Sequence, residues 1–465
     1  MHKLSILHTD KFISLSDGNI IQFCPNLNLL FISVNRTSLW IYRINGDRIY
    51  SINNKTPIQA IYFNQEYFLV LGVDSSIKIY NCNDGKLIHT RDTGTLVKYI
   101  HWRNISQDVT SKFNVDVLNQ MPKLLLPNCS ANLDYLVIVN HNKLTISFNN
   151  LTNVPKLNVD IEFNYVSVLP AQGDLFTQLM FLVKDNTTKL ISLQYKLNQK
   201  HLFQSTLVKL SHVINLQEFI DLNLQDITQT VDTSLSLFTR IFDNLQVKSV
   251  VTHLTNIALT NLIDEDTKDF WLNSMGERNY LRLNKSMNNM YDQVRNILFK
   301  YIVPSCERLI IILTDLIGIV VWLNDQDEQP FGLSELDIYE LIELIKDQIK
   351  LCYKVIFDIQ QEQTLFNQFI TWIKSLIDKM SDQQASTELN MGNIIKYINT
   401  GLSNSVLTST PSFNQLNEKF TLLIDSVNTF HKSILYFTEI TQINLPDSYS
   451  NLELQQINNQ WILSN

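Results

Sequence analysis

The sequence predicts a multidomain chain of β then α class. About four readable blades of an incomplete β-propeller occupy residues 1–205, and a long α-helical bundle occupies 206–440. Residues 441–465 form a tail or the start of a further blade. Three observations lead there. Up to about residue 200, short runs of Val, Ile, Leu, Tyr and Phe alternate with turn residues, the pattern of antiparallel meanders. Similar runs recur about 40 residues apart, the repeat of a four-stranded propeller blade. From about His212 onward the apolar spacing changes from two residues to about 3.6, which is helical.

The first blade is read from four runs: Ile20–Phe23, Leu29–Val34, Ser38–Ile44 and Arg48–Ile52. Pro25-Asn26, Asn35 and Asn45-Gly46 separate them, residues whose backbone preferences suit tight turns. The second blade repeats the order at Ile58–Phe63, Tyr67–Gly72, Ser76–Tyr80 and Lys86–Thr90. Its third strand, Ser76-Ile77-Lys78-Ile79-Tyr80, matches Ser38-Leu39-Trp40-Ile41-Tyr42 of the first. A third blade runs from Leu96 to about Asn149 around an inserted loop at 104–130, and a fourth spans about Val159–Leu197. A strand at 3–14 is expected to pair with the far end of the chain and so close the ring.

In the helical part, Phe219, Leu222, Ile227, Val231, Leu235, Phe238 and Phe242 mark one amphipathic helix. No Pro or Gly interrupts 333–391. There Leu341, Ile345, Ile349, Cys352, Ile356 and Ile359 form one stripe, and Phe366, Phe369, Ile373, Leu376 and Met380 another. Tyr353 and Phe357 widen the first stripe, which suits a bundle better than a two-stranded coiled coil. Ser334-Glu335-Leu336-Asp337 reads as a helix start. Ser381–Gly392 reads as a loop, and a last helix is expected over Asn414–Phe437.

Composition narrows the function classes. A net charge of -8 lacks the basic excess of a nucleic-acid surface. The apolar run Leu309–Leu323 is shorter than a bilayer span and carries Asp315, so it reads as a core helix. The cysteines, Cys24, Cys82, Cys129, Cys306 and Cys352, include no C-x-x-C pair and suit neither a zinc site nor a disulfide framework. With 11 glycines, the chain has no G-x-G-x-x-G or G-x-x-x-x-G-K loop to hold phosphate. H-E-x-x-H and G-x-S-x-G are absent too. No catalytic, cofactor or metal residue is therefore nominated, and a binding role becomes the default. Trp271, Trp322 and Trp372, at helical positions, are the candidate interface anchors.

Two stretches resemble a known family. Phe23-Cys24-Pro25, Leu29-Leu30 and Ile41-Tyr42-Arg43-Ile44-Asn45-Gly46-Asp47-Arg48-Ile49-Tyr50 resemble the first WD40-like blade of the anaphase-promoting complex subunit 4 family. Met275-Gly276-Glu277-Arg278, Tyr291, Pro304, Glu307-Arg308-Leu309 and Leu313–Gly318 resemble its helical domain, where a Gly-containing turn precedes a helix pair. The resemblance covers roughly 20–102 and 269–337, and it implies a helical domain inserted into a seven-bladed propeller. It further implies a non-catalytic platform subunit of a cullin-RING-type ubiquitin ligase active in mitosis, in nucleus and cytoplasm. Its partners would be the largest scaffold subunit and subunit five, with no cofactor, nucleic acid, membrane or small-molecule substrate. The alternatives are a vesicle-coat or nuclear-pore scaffold and a substrate-recognition propeller. A coat or pore scaffold would continue into a helical solenoid, and a recognition propeller would need a closed ring with a charged or aromatic pocket on its top face.

Overall fold

The computed structural model describes residues 20–24, 27–64, 67–94, 96–97, 99–104, 134–140, 143–148, 156–160, 165–169, 177–184 and 187–195. It continues with 200–325, 332–380, 389–402, 405–408, 414–428, 435–444, 453–457 and 460–464. The expected strand at 3–14 and most of the 104–130 loop lie outside these residues.

Antiparallel four-stranded sheets open the chain, and a helical region follows them. The first sheet holds β1 (Ile21–Cys24), β2 (Leu29–Val34), β3 (Ser38–Arg43) and β4 (Arg48–Asn53) in sequence order. Asn35 and Arg36 both take positive φ, 53° and 57°, the backbone of a tight hairpin turn that matches strand twist. The second sheet repeats this with β5 (Ile58–Asn64), β6 (Tyr67–Gly72), β7 (Ser76–Asn81) and β8 (Leu87–Asp92). The matched third strands bury the same positions, Leu39, Ile41 and Tyr42 in one and Ile77, Ile79 and Tyr80 in the other. Between the two sheets, Phe31 meets Phe63 and Phe68 edge-on, each at 4.8 Å. Such aromatic pairs add to the apolar burial that holds neighbouring blades face to face.

The third sheet is built from β9 (Tyr99–Asn104), β10 (Asp134–Val139), β11 (Lys143–Phe148) and β12 (Lys156–Asp160). Ile100, Trp102, Leu136 and Ile138 pack against Leu69, Leu71, Ile77 and Ile79 of the second sheet. In the fourth, β13 (Tyr165–Leu169), β14 (Thr177–Lys184) and β15 (Thr187–Tyr195) are joined by β16 (Leu435–Asn444). Tyr195 pairs with Leu435 and Thr187 with Asn444, so the helical region is inserted between the third and fourth strands of one sheet. The last helix, expected over 414–437, accordingly ends at Asn428, and part of that stretch is strand. β17 (Glu453–Ile457) and β18 (Gln460–Ser464) then form a hairpin.

Helix α1 (Lys200–Asp243) begins twelve residues before the period change at His212 becomes legible. A short α2 (Val250–Thr260) follows, capped by the Ser249 side chain, which accepts the Thr252 N–H. The next rod combines α3 (Gly276–Ile297), a π-turn at Leu298–Ile302 and α4 (Val303–Asp325). The π-turn precedes Pro304, which has no N–H to continue the α ladder and whose ring crowds the carbonyl four residues back. The expected helix pair is thus one continuous rod, entered at Gly276, whose φ of +40° only glycine adopts at little cost. Helix α5 (Glu335–Met380) starts immediately after Ser334, as its sequence pattern anticipates. Helices α6 (Met391–Thr400) and α7 (Asn414–Asn428) complete the region, α6 beginning inside the stretch read as a loop.

One apolar cluster unites these helices, with Leu283, Met290, Leu313, Leu316, Ile345 and Phe369 among its fully buried members. Val137 and Val139 of β10 belong to the same cluster, so the third blade and the helices share a core. The run Leu309–Leu323 is indeed core: Leu309, Ile312, Leu313, Leu316 and Val320 are buried. Asp315 on its outer side pairs with Lys209 of α1 at 2.6 Å. No described helix is long and apolar enough to cross a membrane.

Candidate interaction surface

Long helices bury a stripe and leave the rest of their circumference to solvent or to partners. Helix α5 buries Ile338, Leu341, Ile345, Cys352, Val355, Ile359, Phe366 and Phe369. Tyr353 and Phe357, which widen the stripe in sequence, are instead 47% and 60% exposed. Leu336 and Tyr339 lie exposed on the same helix. At 336, 339, 353 and 357 the helical rotation places the four within one face. Between them stand the i,i+3 pairs Glu343–Lys346 and Asp347–Lys350, at 2.6 and 2.8 Å. Being exposed, such pairs add little stability and keep the face wettable.

A second set of exposed aromatic groups sits on the α3–α4 rod. Phe299 and Tyr301, within the π-turn, are 55% and 42% exposed. The turn's extra residue rotates these side chains out of the register that the helix would otherwise impose. Tyr301 keeps an edge contact with Phe219 of α1, centroids 6.2 Å apart. Leu222, placed on the buried stripe of α1 by spacing, is half exposed.

The three tryptophans separate by burial. Trp271 and Trp372 are core residues with 0% and 2% exposure, the first packed edge-on against Phe270 and the second beside Phe369. Neither is available as an anchor on this surface. Trp322, at 40% exposure near the end of α4, retains a free face.

An interior polar site went unmarked in sequence. Glu362 falls on the apolar stripe of α5, three residues after Ile359 and four before Phe366, and is 7% exposed. Its Oε1 accepts the Tyr291 hydroxyl at 3.0 Å and the Ser405 hydroxyl at 2.6 Å. Its Oε2 accepts the Val406 N–H at 2.8 Å. Burial pushes the Tyr291 and Tyr397 hydroxyls far above the ordinary phenol range, and the Glu362 carboxylate adds to it. Both phenols stay protonated, and Tyr291 serves as a donor. An acid on an apolar stripe was the one available signal, and spacing alone cannot say whether such a residue turns inward.

Among the described residues no group of three or more His, Cys, Asp or Glu side chains could hold a metal ion. Cys24, Cys82, Cys306 and Cys352 are buried and unpaired by disulfide; Cys129 lies outside the described residues.

Comparison with known proteins gives two family matches. Residues 189–383 match the model described as "Anaphase-promoting complex, cyclosome, subunit 4". Residues 21–105 match that of the "Anaphase-promoting complex subunit 4 WD40 domain". The chain is 24% identical over 263 residues to a Saccharomyces cerevisiae protein named anaphase-promoting complex subunit 4. That match covers 54% of this chain and 39% of the yeast protein. Among solved structures, KlHsv2 with loop 6CD replaced by a Gly-Ser linker is 13% identical, over 39% of this chain and 54% of that one, with a TM-score of 0.26. The WD40 domain of Toxoplasma gondii coronin is 7% identical, over 38% and 42%, also at 0.26. Superpositions that poor carry no argument.

Proposed function

We propose that this chain, which belongs to the anaphase-promoting complex subunit 4 family, is a non-catalytic platform subunit of that multi-subunit ubiquitin ligase. In this reading it holds neighbouring large subunits together, the largest scaffold subunit and subunit five among them. It would act in mitotic progression, in nucleus and cytoplasm.

The observation that carries the reading is the exposed aromatic set on the long rods: Phe299, Tyr301, Trp322, Tyr339, Tyr353 and Phe357. All six lie inside the segment that matches the family's helical model. Aromatic groups on a rigid frame are the residues from which protein interfaces draw most of their energy. A platform needs no reacting groups, only surfaces kept in fixed relation. Rods that share a core with a propeller blade supply that relation.

The test is native purification of the tagged full chain, followed by identification of what travels with it. Recovery with the other ligase subunits supports the proposal, and recovery as a free monomer sinks it. The paired variant Tyr353→Ala with Phe357→Ala is expected to keep the fold and to reduce subunit recovery.

A further inference from the structure

Beside Glu362 the helical region forms a partly open cavity of about 270 Å³. Its lining mixes aliphatic residues such as Val250 and Met287 with aromatic ones, Phe238 and Phe242 from α1, Tyr291 from α3 and Tyr397 from α6. Glu362 lines it from α5, and Asp243, exposed at the end of α1, stands at its edge. We infer that this cavity is a receptor for an organic cation, the ammonium or guanidinium group of a ligand no larger than one basic side chain.

Charge carries the argument first. Among the described residues, the Tyr291 and Ser405 hydroxyls and the Val406 N–H all donate to the Glu362 side chain, whose two oxygens therefore act as acceptors. Yet among the described residues no lysine, arginine or histidine forms an ion pair with it. A buried carboxylate with hydrogen bonds but no counter-charge is an incomplete site, because neutral donors offset only part of the lost hydration. Among the described residues Oε2 accepts a single hydrogen bond, which leaves it acceptor capacity.

Shape and surroundings agree with charge. Four aromatic residues share the cavity's lining with the Glu362 carboxylate, and ring faces attract positive charge, which favours a cation over a neutral group of equal size. Asp243 at the edge gives the entrance the same sign. The volume lies just under the range of about 300–1,000 Å³ in which drug-sized ligands bind, so one alkyl-ammonium or alkyl-guanidinium group fits and a folded segment does not. Gly401 and Tyr397 both line the cavity, and a Cβ at 401 would overlap the Tyr397 ring.

The test uses the full chain and four probes by calorimetric titration: n-butylammonium, n-propylguanidinium, neutral n-pentanol, and the capped tripeptides Gly-Lys-Gly and Gly-Arg-Gly as one class. The expected result is saturable binding of the cations, with pentanol weaker by about tenfold or more. Glu362→Gln should abolish the preference for charge. Gly401→Ala, which must displace the Tyr397 ring that lines the cavity, should weaken binding of the cations by about tenfold or more while leaving Glu362 in place, and it guards against misfolding of the first variant. Tighter binding of a tripeptide than of its free cation would identify a protein side chain as the source, and the reverse a small amine; either supports the inference. Equal binding of pentanol, or no binding of any probe to the folded chain, would overturn it and leave Glu362 as a clasp for Ser405 and Val406. Neither result bears on ligase membership, which subunit recovery tests separately.

Discussion

The ring of Tyr50, on the last strand of the first blade, occupies the space a side chain at Gly85 would need: a Cβ there would lie 2.6 Å from its Cδ2. The Tyr50 hydroxyl reaches on to donate to the Cys82 carbonyl at 2.6 Å. One side chain thus stitches the edge of the first blade to the β7–β8 turn of the second. Gly85 meets two demands at once, since its φ of +68° also lies in the left-handed region.

Gly85→Ala is therefore expected to destabilise the blades by about 1–3 kcal/mol, from backbone strain and the displaced ring together. Tyr50→Phe removes one hydrogen bond and keeps the packing, at about 1 kcal/mol. Urea unfolding followed by intrinsic fluorescence measures both. A Gly85→Ala variant as stable as the parent would contradict the close approach.

The buried and exposed tryptophans should behave oppositely. Trp372→Ala leaves a large void between α5 and its neighbours and is expected to cost about 3–5 kcal/mol. Trp322→Ala should change stability by no more than about 0.5 kcal/mol. If Trp322 serves as an anchor, its loss shows in subunit recovery and not in thermal melting.

His212, on α1, has its pKa lowered by burial, with Lys209 adding to the effect. Its folded-state pKa thus lies below its unfolded one, and the unfolded chain binds more protons between the two. Stability from this group is present above the unfolded value, near 6.5, and falls as acid is added. Melting temperature is expected to drop on going from neutral toward mildly acidic pH, with a shallower slope in His212→Asn. Parallel slopes in parent and variant would refute this.

Burial raises the Cys352 thiol to about 12 and the Cys306 thiol higher still. Thiolate is the reactive form, so neither should react with a maleimide in the native chain. Mass spectrometry should find both labelled only after denaturant is added. Native labelling at the rate of a free thiol would show that the core around them opens.

The first two blades were legible because their signals are local. Ser38–Tyr42 and Ser76–Tyr80 announce themselves as equivalent strands, and the structure buries them in the same pattern. Helix α5 was legible for a similar reason, since a stripe such as Leu341, Ile345 and Cys352 repeats every turn. Tyr353 and Phe357 mark where that reasoning fails. Apolar character says that a side chain can be buried, and only the neighbouring helices decide whether it is.

By itself, then, the sequence determined the β-then-α order, the blade repeat and the presence of long rods, because each depends on spacing within a few tens of residues. Tertiary structure decided the rest. It placed Leu435–Asn444 beside β15, a pairing across the whole helical region that no local pattern encodes. It sent Trp271 and Trp372 inward and Trp322 outward, and it turned Glu362 into the core against Tyr291. Those outcomes rest on contacts between elements distant in the chain, where packing and hydrogen bonding choose among faces that periodicity leaves equivalent.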